Sequence, residues 1–156
     1  MNPDFADFVE SLQPSLERLL ASQPFKFSDL AKQVIPEAGV YLFSDGEEHL
    51  YVGRTNSIRR RLQNHCRPSS NDSQASFAFL LAREKTGQTK ATYRTDGSRK
   101  HLMQLDEFRR AFDDQKAWLR TLDIRVVDEA NPYRQALLEM YVAVALKTPH
   151  NSFDNH

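Results

Sequence analysis

With Cys66 as its only cysteine, the chain cannot close a disulfide of its own, and it has neither a C-x-x-C pair nor a His/Cys cluster at zinc spacing. No apolar run approaches the roughly 20 residues that a membrane-spanning helix needs. Met1 leads straight into the polar stretch NPDFADF, which is no export signal. Five glycines and seven prolines in 156 residues are too few for a long disordered tract, and no repeat or low-complexity segment occurs. These absences exclude a disulfide scaffold, a structural zinc module and a membrane span. They predict a soluble, cytoplasmic protein with one ordinary hydrophobic core, a single compact domain overall.

Net charge is also lacking, with 21 basic residues against 21 acidic ones, but the balance is uneven along the chain. Residues 1–50 hold 3 Lys/Arg and 9 Asp/Glu (−6), residues 51–100 hold 11 and 3 (+8), and residues 101–156 hold 7 and 9 (−2). Between Glu48 and Asp72 there is no carboxylate at all, while Arg54, Arg59, Arg60, Arg61 and Arg67 fall in that window. A positive field confined to one third of a neutral chain is the footprint of modest, site-focused phosphate binding.

Periodicity divides the chain into helices and three strands. The segment PDFADFVESLQPSLERLLASQ spaces its apolar residues at helical intervals around Pro14 and predicts two short amphipathic helices. FKFSDLAKQVIPEAG predicts a short helix with Ser28 as its cap, ending at Pro36. GVYLF and HLYVG flank an Asp45-Gly46 pair, a hairpin signal. Helices are expected over IRRRLQNHC, over QASFAFLLAREKTG closed by Gly87, and from Asn131 and Pro132 to about Lys147. QTKATYRTDGSRKH reads as a basic strand or loop excursion. An amphipathic helix follows, with Leu105, Phe108, Phe112, Leu119 and Leu122 on one stripe, and then DIRVVD as a strand.

At about 100° per residue, Ile58, Leu62 and Cys66 form the inward face of the arginine helix. Arg61 and His65 lie one turn apart at its edge, and Arg60 points away. A guanidinium set against a core needs an anionic partner, and a phosphate oxygen matches its planar fork. His65 beside it is a candidate for proton transfer. In ALLEMYVAVAL, Glu139 is the one charge in a helix apolar in almost every direction, which predicts a buried helix. Two readings fit such a carboxylate: an ion pair inside the core, or ligation of a hard divalent cation whose other ligands are phosphate and water.

Taken together, GVY at Gly39–Tyr41, YVG at Tyr51–Gly53, Arg61 with His65 four residues on, Glu139 on a late helix and Asn151 in TPHNSF resemble the GIY-YIG nuclease family in order and spacing. The resemblance spans about residues 38–152, with residues 1–37 as an N-terminal helical extension packed on the core and an insertion at about 88–121. Both tripeptides carry Val where the family has Ile. The resemblance implies an α+β fold: a small antiparallel three-stranded sheet, a hairpin plus a third strand, flanked by helices, here with extra N-terminal helices. It implies metal-dependent phosphodiester hydrolysis, with Tyr41 as the phenol that activates water and Tyr51 shaping the site. Arg61 would stabilise the transition state, His65 would help move a proton, Glu139 would hold Mg²⁺ (or Mn²⁺), and Asn151 would position the site. Arg61 and the metal are expected to lower the Tyr41 pKa. DNA is the expected partner, held through its phosphate backbone with modest affinity, with Arg54, Arg59, Arg60, Lys90, Arg94, Arg99 and Lys100 as candidate contacts.

The two tyrosines pose a geometric condition. A two-residue Asp45-Gly46 turn puts them on opposite sheet faces, whereas an odd-length loop or a bulge puts them on one, as catalysis requires. A binding module with weak catalysis, acting in repair or regulation with partner proteins, and a structural domain with an Arg61–Glu139 salt bridge are the competing readings. The acidic N-terminal helices are candidates for a homodimer or protein-partner surface.

Overall fold

Strand β1, Gly39–Asp45, is central in a three-stranded sheet of order β2-β1-β3, with β2 (Glu48–Thr55) and β3 (Asp123–Asp128) both antiparallel to it. The computed structural model describes residues 1–88 and 98–153, and the α+β architecture expected from the sequence is present: a small antiparallel sheet flanked by helices. Lys90 and Arg94 lie outside the described residues. Backbone contacts group the chain into two units, Met1–Arg61 with Leu122–His156, and Leu62–Thr121.

In the first unit, α1 (Pro3–Ala21) and α6 (Pro132–Leu146) cover one face of the sheet. Leu12, Leu16 and Leu19 meet Val40, Leu42, Val52 and Val127 there, together with Leu138 and Val142. The Tyr141 hydroxyl of α6 donates to Gln13 of α1. Contrary to the two-helix expectation, α1 is continuous through Pro14. Proline removes one hydrogen bond, to the carbonyl of exposed Glu10, and the apolar stripe on both sides of it enters the same core. Ser28 does not cap a helix. It lies inside a 3-10 helix, Phe27–Lys32, that starts after Lys26 without a side-chain cap.

Helix α6 is also not buried all round. Leu138 and Val142 face the core, but Tyr133, Met140 and Val144 are exposed and Glu139 is half-buried. The sequence is apolar on a face that the fold leaves open. Its start agrees with expectation: Asn131 accepts from the Tyr133 and Arg134 N–H groups and Pro132 opens the first turn.

The second unit holds the end of α2 (Ile58–Cys66), then α3 (Ser76–Thr86), α4 (Arg99–Gln104) and α5 (Asp106–Leu119). Its interior is aromatic, with the Phe79 ring centroid 5.1 Å from that of Phe108 and 6.3 Å from that of Phe112. Leu105 is exposed at the α4–α5 junction. Lys116 is buried on the α5 stripe instead, where its ammonium donates to the Pro68 and Ser70 carbonyls. Part of the basic excursion is helical, because Ser98 caps α4 by accepting from the His101 N–H. Among the described residues, no helix is long and apolar enough to cross a membrane.

Candidate active site

The hairpin decides where the tyrosines point. The turn residues are Gly46 and Glu47, one position beyond the expected pair, so Asp45 opposes Glu48 and Ser44 opposes His49. Continued without a break, that register would set Tyr41 against Val52 and turn Tyr51 to the other face. A bulge intervenes: the register shifts between Phe43 and Ser44, Leu50 is the extra residue, and Phe43 then opposes Tyr51 while Tyr41 opposes Gly53. Tyr41 and Tyr51 become diagonal neighbours on one face, one of the two arrangements left open by the sequence.

The glycine opposite Tyr41 follows from this register. A Cβ on Gly53 would lie 2.2 Å from both the Cζ and the hydroxyl oxygen of Tyr41, so the phenol occupies the volume that a side chain would need. A Cβ on Gly39 would likewise fall 1.9 Å from the Val127 carbonyl oxygen. The glycines of both tripeptides are therefore sites of close approach.

A cleft of about 380 Å³ opens in the first unit, lined by Tyr41, Tyr51, Arg54, Arg61, Gln135 and Glu139, with Gly53, Thr55 and Asn56. Four elements contribute: β1, β2, α2 and α6. The Arg61 guanidinium donates a hydrogen bond to the Tyr41 hydroxyl. Tyr41 is only 1% exposed. Burial drives its phenol well above the ordinary tyrosine range, the Tyr51 hydroxyl adds to the rise, and the charge and hydrogen bond of Arg61 oppose it without prevailing. Arg61 acts in the expected direction, and burial outweighs that one guanidinium. Tyr51 is raised too, first by burial, with Arg61 opposing.

Glu139 faces Arg54, not the Arg61 of the salt-bridge reading. Its carboxylate oxygen lies 3.4 Å from Arg54 Nε, with 21% of the Glu139 side chain and 46% of the Arg54 side chain exposed. Burial raises the Glu139 carboxyl above the ordinary range, while the charge of Arg54 and its backbone N–H hydrogen bond pull the other way. Among the described residues no group of three or more His, Cys, Asp or Glu forms a metal cage. Glu139 is the one acidic group among the cleft's lining residues. A single, partly solvated carboxylate suits a hard cation that completes its shell with phosphate and water.

The Asn151 side-chain amide grips the free edge of β2, accepting from the Val52 N–H at 2.9 Å and donating to the Val52 carbonyl at 2.8 Å. Thr148 Oγ1 donates to the same amide oxygen. It stands in for a fourth strand and fixes the stretch between Tyr51 and Gly53.

The remaining candidates separate by partner. Arg59 donates to the Leu30 and Gln33 carbonyls, each at 2.6 Å, so its guanidinium is committed to the protein and not to DNA. Arg60 is exposed. His65 belongs to the second unit, fully buried with its ring edge-on to Phe77. Neighbouring Cys66 is buried and its thiol is pushed up to about 12 by burial, with Arg120 opposing, so it is no thiolate nucleophile. Arg99 lies near Asp72, and Lys100 is exposed.

Gln135 is a site residue that the sequence reading missed. It is buried one turn before Glu139, and its amide nitrogen donates to the carbonyls of Glu129 and Thr55 and to Asn56 Oδ1. It thereby ties the α6 start to the β2–α2 connection. Its i, i+4 spacing from Glu139 was the available signal.

Residues 37–105 match the family model described as the GIY-YIG catalytic domain. That match includes Tyr41, Tyr51, Gly53 and Arg61 and stops short of Glu139 and Asn151, which join the site through the fold. No curated protein and no solved structure matches the chain.

Proposed function

From the premise that the chain carries a GIY-YIG nuclease-family domain at residues 37–105, we propose that it is a metal-dependent endonuclease that hydrolyses DNA phosphodiester bonds in the cleft of Tyr41, Tyr51, Arg61 and Glu139. The observation that supports this most is the convergence of those four side chains from four elements, with a bulge that brings both tyrosines to one face.

Glu139 would hold Mg²⁺ or Mn²⁺, which when bound supplies positive charge to the phosphate and to the leaving oxygen. The chain's own groups account for the rest. Arg54 and Arg61 present guanidinium donors to a phosphate in the cleft, and Arg61 neutralises charge developing on its oxygens. In its phenolate form Tyr41, oriented by the Arg61 hydrogen bond, takes the proton from the attacking water and becomes the phenol. Because burial holds it protonated, only a small phenolate fraction is competent at neutral pH, and that fraction is a strong base. Tyr51 lines the same face and excludes water. Asn151 and Gln135 act as positioning residues through Val52 and Thr55. His65 lies outside the residues that line the cleft, buried with its ring edge-on to Phe77.

The competing reading of a binding module draws on the Arg54–Glu139 pair, which occupies the carboxylate. Nicking of supercoiled plasmid in Mg²⁺ or Mn²⁺, with Glu139→Gln alongside, separates the two. Cleavage by the wild type that is lost in the folded variant supports the nuclease. Absence of cleavage together with absence of metal binding by titration leaves the binding module.

A further inference from the structure

We propose that Arg54 is a latch on Glu139. In the DNA-free protein it occupies the carboxylate, and a DNA phosphate entering the cleft draws it away, so that a divalent cation is held tightly only once the substrate is in place. This deepens the nuclease reading and rests on it for the identity of the phosphate and the cation.

Arg54 directly follows Gly53 near the end of the edge strand β2 and lines the same cleft as Glu139. It meets that carboxylate through both its backbone and its side chain. The backbone N–H donates to it, and Nε stands 3.4 Å from Oε2. The first contact belongs to the strand and stays when the side chain moves. The second can open: the Arg54 side chain is 46% exposed, and the separation exceeds the roughly 2.7–2.9 Å of a tight charge-assisted bond. Arg61, the other guanidinium lining the cleft, is hydrogen-bonded to the Tyr41 hydroxyl instead.

Glu139 is the one acid among the lining residues, so whatever holds it decides whether a cation binds there. A guanidinium beside the carboxylate opposes a second positive charge at the same oxygens. A phosphate reverses the balance. Its oxygens match the planar fork of Arg54 better than a single Nε contact does, and a half-exposed ion pair gives up little when it opens. One residue thus links two binding events, and the link is reciprocal: the factor that DNA adds to cation affinity through Arg54, the cation adds to DNA affinity. An arginine that only touched DNA would leave cation binding to the DNA-free protein unchanged.

The test is titration of the DNA-free protein with Mn²⁺, followed by the electron paramagnetic resonance of the free ion, for wild type, Arg54→Gln and Glu139→Gln, with thermal melting of each. Arg54→Gln is expected to bind Mn²⁺ about fivefold or more tightly than the wild type, the lower end of coupling between sites, and Glu139→Gln to lose the site. Repeated with a short duplex in the Tyr41→Phe background, the titration should show DNA tightening Mn²⁺ binding, and tightening it less when Arg54→Gln is added. A folded Arg54→Gln that binds Mn²⁺ no more tightly than the wild type, or a duplex effect that it leaves unchanged, overturns the latch; if the wild type nicks plasmid in that case, the nuclease reading stands without it. Binding that survives Glu139→Gln undiminished puts the cation elsewhere and also overturns the latch. A wild type that binds no Mn²⁺ with or without duplex and never nicks overturns both. Tighter binding by Arg54→Gln of a protein that never nicks supports the latch and overturns the cleavage.

Discussion

The phenol of Tyr41 stands where a side chain on Gly53 would begin, 2.2 Å from the position of its Cβ. One residue on the central strand thus dictates the residue opposite it on the edge strand. Gly53→Ala should push the Tyr41 hydroxyl off the Arg61 hydrogen bond. Cleavage is expected to fall by about 10²-fold, as for a reacting group displaced by about 1 Å. The overpacking should cost about 1–3 kcal/mol. Single-turnover rates and urea unfolding check this, and wild-type rates in the variant would refute it.

Asn151 supports the same strand from outside. Asn151→Asp keeps an acceptor for the Val52 N–H but loses the donor to the Val52 carbonyl, so it should behave almost as badly as Asn151→Ala. Each is expected to lose about 1–3 kcal/mol. A stable, active Asn151→Asp variant would show that the bond to the carbonyl does not matter.

Arg59 and Arg60 are adjacent and should respond oppositely. Arg59→Ala leaves the Leu30 and Gln33 carbonyls without their donor and should lose about 1.5–3 kcal/mol of stability. Its salt dependence of DNA binding should remain that of the wild type. Arg60→Ala, on the exposed face, should leave stability unchanged. Thermal melting and the salt slope of binding measure the two effects separately.

Burial gives the Glu139 carboxylate a stability cost. Its carboxyl is raised in the folded state, so its contribution is favourable below the ordinary carboxylate range of about 4 and is lost as pH rises through the folded value. Glu139→Gln should therefore melt higher than the wild type at neutral pH, with the difference shrinking towards pH 4. A lower melting temperature at pH 7 would mean that the Arg54 pair outweighs burial.

Local pattern carried much of this architecture, and long-range pairing carried the rest. The spacing of Ile58, Leu62 and Cys66 correctly marks the inward face of α2, because helical period alone sets it, and all three are fully buried. Asn131 and Pro132 likewise announce α6. The bulge at Leu50 has no compositional mark, since it arises where the hairpin register meets the demands of two faces. Three consecutive arginines look alike in sequence, yet Arg59 is claimed by carbonyls 26 and 29 residues away. The partner of Glu139 was unreadable for the same reason. Arg54 and Glu139 lie far apart in the chain and meet only because α6 packs along the sheet beside the edge strand.

The central claim is that Tyr41 is the proton acceptor in this cleft, and the pH dependence of single-turnover DNA cleavage tests it most directly. Because burial raises the phenol's pKa, the competent fraction grows throughout the accessible range. The wild-type rate should therefore rise with pH between about pH 6 and 9. Tyr41→Phe should be slow and should lose that slope. A slope that survives in Tyr41→Phe would assign the proton to another group.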